Sequence, residues 1–488
     1  MSAILNIDSS RMIKIIMSIT FKKNRHRLFH VLLSTFVSLQ LFGQDTSKIV
    51  NDVTQLNPIK VNAIISPTTT MEIVTAIKIH NGAVSIGGGR YSMGGQTATE
   101  QALQIDMRNF DSIICFSKEK KEITVQTGIT WRKIQEFIDP YDLSVQIMQT
   151  YANFTVGGSL SVNVHGRYIG GGPIVLSVKE IKIILANGDL VTATPTENKD
   201  VFYGAIGGYG GLGVIVQATL FLTENDKVER TDNVLLIKKY KQYFVDKIRS
   251  DSLVVFHNAD IYPNRYRKVR EISYRKTSRD VTVSYRLKPN DKKYRFNKFA
   301  FKIVSEFPGG KWLRQYLMEP FLYIGKPVEW RNYEASYDVF ELEPKSRERS
   351  TYVLQEYFVP IEKFDAFYPL MSDILRKNKV NVINISIRHA KQDPGTMLAW
   401  ARTEVFAFVL YYKQGTKPAD KEEVKKWTKQ LIDAAISCNG AYYLPYQIHA
   451  TNEQFLKAYP NAENFFKLKN QFDPTYKFRN KLWDTYYR

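Results

Sequence analysis

Cysteine is nearly absent. Cys115 and Cys438 are the only two in 488 residues, and neither belongs to a C-x-x-C pair or to a metal-ligand spacing. That argues against a disulfide framework and against a cysteine-built metal site, and leaves the redox compartment open. Acidic residues are also short in supply, 48 against 68 Lys and Arg, for a formal charge of +20. No low-complexity tract and no short-period repeat occurs, so fibrous and solenoid architectures drop out. The apolar run at residues 28–43 is sixteen residues long and contains His30, which is short for a spanning helix. No nucleic-acid reading module accompanies the basic charge, so nucleic acid is not expected as a partner.

The length exceeds one ordinary core and implies two domains with a cleft between them. At 44% hydrophobic and 13% aromatic the composition is that of a folded protein. The basic cluster Lys22 to Arg27, the apolar run 28–43 and the polar "QDTSK" after Gly43 have the parts of a secretory signal, with an uncleaved anchor as the alternative. Either way the body would be exported, periplasmic or extracytoplasmic. Much of the positive charge lies in residues 265–302, where Lys and Arg alternate with Tyr, Val, Ile and Phe. The expected reading is a solvated strand face, the alternative an anion- or membrane-facing patch.

Periodicity gives the organisation. "TMEIVTAIKIHN" reads as a helix running through the short strand "AVSI" into glycines, and "VKEIKIILANGDLVTATP" is a hairpin turned by Asn187-Gly188. From about Asn225 the pattern becomes long strands with two amphipathic helices, "IEKFDAFYPLMSDILRKN" and "KEEVKKWTKQLIDAAISCNG". That order predicts an α+β cap with an antiparallel sheet and flanking helices. The expected divisions are 1–45 leader, 46–224 first domain, 225–440 cap and 441–488 a C-terminal return.

The chemistry is announced by glycine. "SIGGGRYSMGGQ", residues 85–96, holds five glycines in twelve residues. Without Cβ atoms, successive backbone N–H groups can close on an anion. It is not a Rossmann loop, because neither the helix pattern nor the downstream acid of that fold follows. Two more such loops, "TVGGSLSVNVHG" (155–166, glycine-paired then strand-like) and "YGAIGGYGGLGVI" (203–215), exceed what turns require.

With "GITWRKIQEFI" and the hairpin, these loops resemble the FAD-binding PCMH-type domain of the vanillyl-alcohol oxidase type, over residues 52–223. Aldonolactone, alditol and decaprenylphosphoryl-ribose oxidases and cytokinin dehydrogenases share that domain, and the D-arabinono-1,4-lactone oxidase group is nearest. The resemblance implies FAD, bound in the first loop by Gly87, Gly88, Gly89, Arg90, Ser92, Gly94 and Gln96, whose backbone amides cradle the pyrophosphate, with Tyr91 packing or hydrogen-bonding near the dimethylbenzene edge of the flavin. Gly157, Gly158, Ser159, Asn163, His165 and Gly166 would lie along the flavin and ribityl chain, and Gly213, Val214 and Ile215 near the adenine half. Relatives carry a flavin-linked histidine where this chain has Tyr91, so FAD is predicted to be noncovalent.

Alcohol oxidation needs a proton acceptor and a positive charge near flavin N1. "NISIRHA" places Ser386 and Arg388 on one strand face and is similar to the "ExR" strand of alditol and aldonolactone oxidases, with serine in the glutamate's place. An "HWGK"-like motif is absent from "YYLPYQIHAT", where Tyr446 is the candidate to hold a substrate hydroxyl and His449 the candidate base, alongside Tyr443. The ending "FDPTYKFRNKLW" is similar to the family's closing "DPxxxFxN", which brings Lys477 and Asn480 toward the cofactor. The implied partners are a lactone, polyol or sugar-like alcohol and an electron acceptor: oxygen, a quinone or a cytochrome. A membrane-associated enzyme of the decaprenylphosphoryl-ribose oxidase or sterol-reductase kind, or a flavin-binding protein without catalysis, are the alternatives.

Overall fold

The helix Thr70–Ile79 begins at Thr69, whose hydroxyl accepts from the Glu72 amide while the Glu72 carboxylate accepts from the Thr69 amide. Its apolar face, Ile73 and Ile77, is buried with Val84, Leu103 and Ile105. Those residues belong to a parallel sheet ordered Ala63–Ile65, Leu103–Asp106, Val84–Gly87. The first glycine loop therefore starts where a buried strand ends. In this computed structural model, residues 48–263, 265–289, 302–342, 344 and 346–487 are described. The leader reading at 1–45 and positions 290–301 of the basic stretch lie outside the described residues.

A second sheet runs Leu190–Ala193, Val178–Ile184, Val214–Glu224, Glu122–Gln126, Ile113–Ser117, antiparallel throughout, and Leu143–Val145 joins the far end of Val214–Glu224. Gly188, at φ +84°, makes the predicted hairpin turn. The second glycine loop departs from expectation. Its glycine pair lies in a short helix, Val156–Ser161, where strand character was expected downstream, and the helix is capped by the Thr155 hydroxyl on the Gly158 amide.

The cap is an eight-stranded antiparallel sheet ordered Val328–Trp330, Lys227–Leu236, Lys268–Lys276, Val254–Ile261, Val382–Ala390, Val405–Gly415, Ser350–Pro360, Ala441–Tyr442. The predicted helices are there, Phe364–Lys377 and Pro418–Ser437. They cover one face, with Phe364 and Phe367 against Phe408 and Trp427 against Tyr412. The opposite face carries a row in register, Glu356, Val409, Ser386 and Asp260. Within one strand the basic stretch is not a solvated face, although residues 277–289 are exposed or half-exposed. Lys268–Lys276 is an inner strand whose middle is buried, and its arginines are neutralised locally, Arg270 by Asp232 and Arg275 by Asp251.

At the C terminus the chain runs parallel beside Val84, whose amide donates to the Lys477 carbonyl at 2.7 Å and whose carbonyl accepts from Arg479 at 2.9 Å. All these elements belong to one unit, Val50–Arg488. Among the described residues no helix is long and apolar enough to cross a membrane.

Candidate functional site

A cavity of about 720 Å³ lies between the glycine loops and the bare face of the cap sheet. From the first loop, Gly88, Gly89, Arg90, Tyr91, Ser92 and Gln96 reach its wall. Gly88 has no room for a side chain, because a Cβ there would stand 2.3 Å from the Thr155 hydroxyl oxygen. That same oxygen accepts from the Gly89 and Gly158 amides and so binds the first two loops together. Arg90 is held by Asp106 at 3.0 Å. Burial pulls its guanidinium below the usual arginine range, against the pull of that carboxylate. Tyr91 lies flat on Phe154, with ring centroids 4.3 Å apart, so the phenol has a fixed face as well as a place on the wall.

Gln96 also reaches across the molecule. Its amide donates to the carbonyls of Leu444 and Tyr446 at 2.7 and 2.8 Å, and the Met93 amide donates to Pro445 at 2.6 Å. Gly94 is off the wall and serves this clamp, since a Cβ would come within 2.3 Å of the Tyr446 carbonyl. The second loop contributes Gly157, Gly158, Ser159 and His165, and the third Gly213 and Ile215. Ser159 is locked between Trp131 Nε1 at 2.8 Å and Gln149 at 2.9 Å.

The cap side carries the acid–base groups. Sequence reasoning found Arg388, Ser386 and Tyr446 but missed Glu356. On strand Ser350–Pro360, Glu356 is level with Ser386 across the intervening Val409, so the carboxylate absent from position 386 is supplied from two strands away. Its Oε2 accepts from His165 Nε2 at 2.6 Å and its Oε1 from the Tyr446 hydroxyl. Burial pushes this carboxyl up, but His165, Arg388 and Tyr446 together hold it below the usual glutamate range. Burial and the Glu356 charge raise Tyr446 well above an ordinary phenol. The other ring nitrogen of His165 faces the Gly166 carbonyl at 3.3 Å, so both nitrogens face acceptors. The available signal for Glu356 was a lone acid in the middle of "STYVLQEYFVP", a strand whose other side chains are neutral.

Several predicted residues do other work. His449 is off the wall, facing Lys425 and Lys429, and burial pulls it down to about 4; the role of base does not fit that place. Asn163 ties the second loop to Asp393 at 2.8 Å and Thr396 at 3.3 Å. Lys477 donates to the Ile77 carbonyl, and Asn480 donates to the Tyr209 carbonyl while capping the helix Lys481–Tyr486. Gly87, Gly166 and Val214 are packed behind the wall, Gly87 against Gln104, Gly166 against the Met148 carbonyl and Val214 in the apolar cluster under the parallel sheet.

The donor set suits an anionic dinucleotide that also carries a redox ring. Gly88 and Gly89 bring bare backbone to the wall, and Arg90 Nε and Arg388 Nε are buried without a hydrogen-bond partner. Comparison with known proteins agrees. Residues 61–194 match the family described as an FAD binding domain. The chain is similar to cytokinin dehydrogenase 1 of Arabidopsis thaliana, 25% identical over 254 residues, covering 47% of this chain and 44% of that protein. It is 28% identical over 203 residues to cytokinin dehydrogenase 9 of Oryza sativa subsp. japonica, covering 40% and 39%. The chain thus spans less than half the length of these two relatives. A longer match, 20% identical over 422 residues and covering 84% of this chain and 90% of the other, is to L-gulonolactone oxidase of Mus musculus.

Proposed function

We propose that this chain, whose residues 61–194 are an FAD binding domain, is an FAD-dependent oxidoreductase acting on a CH–OH group, with a sugar lactone, polyol or sugar-like alcohol as substrate. The observation that carries the reading is the convergence of Glu356, Tyr446, His165 and Arg388 on the cavity that the glycine loops enclose. The lactone class is supported by the similarity to L-gulonolactone oxidase over 84% of the chain, with oxygen as the acceptor that this similarity favours. FAD, when bound, supplies the acceptor for the hydride that leaves the carbinol carbon.

The protein's own residues handle the proton. Tyr446 presents its oxygen to the substrate hydroxyl and already donates its own proton to Glu356, so the alcohol proton is taken up as the phenol proton moves to the carboxylate. His165 orients the second carboxylate oxygen. Arg388, with Nε unpaired, places a buried positive charge where negative charge develops. A carboxylate at Glu356 also weighs against a flavin-binding protein without chemistry. FAD is held without a covalent bond in this reading: Tyr91 is a phenol stacked on Phe154, and no histidine stands in the tether position. The sequence pattern of residues 1–45, a basic cluster followed by the apolar run at 28–43, supports export.

The test is the absorption spectrum of the purified full chain, followed by acid precipitation and a panel of lactones and polyols. A yellow supernatant and bleaching by a panel member are expected. Yellow in the pellet would refute the noncovalent assignment, and a colourless chain that FAD cannot reconstitute would remove the enzyme.

A further inference from the structure

The cavity is roofed by a helical segment with a polar inner side and an apolar outer one. It runs through Gly310–Leu313, a π-helical turn at Arg314–Met318, and Glu319–Leu322. Its inner side, with Arg314, Met318 and Tyr323, lines the cavity. Arg314 fastens it to the sheet by donating to the Ile383 carbonyl at 2.8 Å and to Asn384 at 3.1 Å. The outer side is the unusual one. Trp312 is 55% exposed, Phe321 69% and Ile324 71%, with Phe307, Tyr316 and Leu317 also in solvent. Trp312 and Tyr316 touch, ring centroids 5.5 Å apart, and Leu317 and Phe321 follow at helical spacing. Single exposed apolar side chains are ordinary, but a cluster of this size on one short segment marks a surface that something covers.

Charge identifies what covers it. The acids of the segment are already engaged: Glu319 is buried against Arg314 at 2.7 Å and Arg270 at 3.4 Å, and Glu306 is paired with Lys413 at 2.6 Å. The exposed charges left at the two ends of the segment are basic, Lys326 and Lys302, the latter also 4.0 Å from Glu306, while Lys311 is half-buried within it. Two copies of a chain carrying +20 would repel across this face. Tryptophan and tyrosine beside lysines and aliphatic side chains is the composition that settles at the boundary of headgroups and acyl chains. We propose that residues 307–324 form a membrane-docking face that seats the protein on an anionic lipid bilayer. Leu322 belongs both to this face and to the cavity wall, so docking brings the rim of the cavity to the lipid.

Trp312 reports on the contact directly. The full chain is mixed with phosphatidylcholine vesicles with and without phosphatidylglycerol, made with brominated acyl chains, and the emission of Trp312→Phe is subtracted from that of the unmodified protein. The subtraction isolates the segment from any lipid contact made by residues 28–43. Quenching of the Trp312 component is expected on the anionic vesicles and much less on the neutral ones. In Phe321→Glu/Ile324→Glu, neither residue of which lines the cavity, partition of this segment should fall by roughly 100-fold, since two apolar side chains lose their burial. Flavin content of the same samples, expected to be equal, shows that the variant is folded. An unquenched Trp312 on both vesicles overturns the proposal, as does equal quenching in the double variant. A sedimentation change to a dimer without quenching would also overturn it, assigning the face to a second copy. Should the double variant fail to fold, the quenching of the unmodified protein decides alone.

Discussion

Glu356 is the residue on which the acid–base reading turns, because it contacts His165 and Tyr446 through different oxygens. Glu356→Gln keeps the size and the hydrogen-bonding capacity but cannot take a proton. We expect kcat to fall by roughly 10²- to 10⁴-fold with flavin absorbance retained, measured by anaerobic flavin bleaching. A loss of flavin instead would make Glu356 a structural residue. Its carboxyl is held low by His165 and Arg388, so the acid limb of kcat/KM should fall below the ordinary glutamate range, and it should be absent in Glu356→Gln. At this scale the sequence was legible where the function belongs to a local run. Arg388 and the loop glycines were visible as motifs, whereas Glu356 had no motif around it and acquires its role from a neighbour two strands away.

Helix Ala462–Phe472 couples the C-terminal return to the third glycine loop through one buried ion pair. Lys469, with Asp473 at 2.8 Å, also donates to the Gly211 carbonyl at 2.7 Å and the Phe478 carbonyl at 2.9 Å, and both charged side chains are sealed from solvent. Removing one partner leaves a buried charge uncompensated. Lys469→Met should therefore cost about 3–5 kcal/mol in urea unfolding, and Lys469→Met/Asp473→Asn should recover part of it. No recovery in the double variant would show that the bonds to the Gly211 and Phe478 carbonyls, and not the ion pair, carry the junction, and no loss in the single variant would show that Lys469 does not hold it. Among the elements, the Asn187-Gly188 hairpin and the helices Phe364–Lys377 and Pro418–Ser437 were legible because their periodicity and turn chemistry are local. Helix Val156–Ser161 was not. Its two glycines and its valine neighbours argue against a helix, and the Thr155 cap with the Trp131–Ser159 bond overrides them. Strand Lys268–Lys276 misled for a related reason: alternating charge looked like a wet face, but Asp232 from another strand, Asp251 from a loop and Glu319 from a helix meet it.

The whole molecule should be sensitive to acid. His257 lies buried among Tyr240, Ser273 and Phe244 and is held down to about 3, chiefly by burial; His449 is held down to about 4 by burial and by Lys425 and Lys429. Both are neutral in the fold. Below the ordinary histidine value of 6.5 the unfolded chain binds protons that the fold refuses. The stability these two histidines contribute is therefore full above 6.5 and declines as pH falls toward those lower values, by about 1.4 kcal/mol per pH unit for each. Glu404, held at about 2 by His389 and Arg249, adds a loss of the same sign at lower pH, from the ordinary value of 4.5 downward. Urea midpoints across this range, with His449→Gln flattening the slope by about one proton, check the assignment; an unchanged slope would place the acid sensitivity elsewhere.

By itself the sequence determined the identity of the cofactor domain, because consecutive glycines, a threonine cap and an Asn-Gly turn act through their own backbone and need no distant partner. It also determined which strand of the cap bears Arg388, because a period of two places Ser386 and Arg388 on one face wherever the strand lies. Only the tertiary structure decided which carboxylate stands before that arginine, where His449 points, and which side of the segment over the cavity remains in solvent. Each of these depends on the register and order of strands far apart in the chain, and sheet register is set by closure of the whole core, which no stretch of sequence contains.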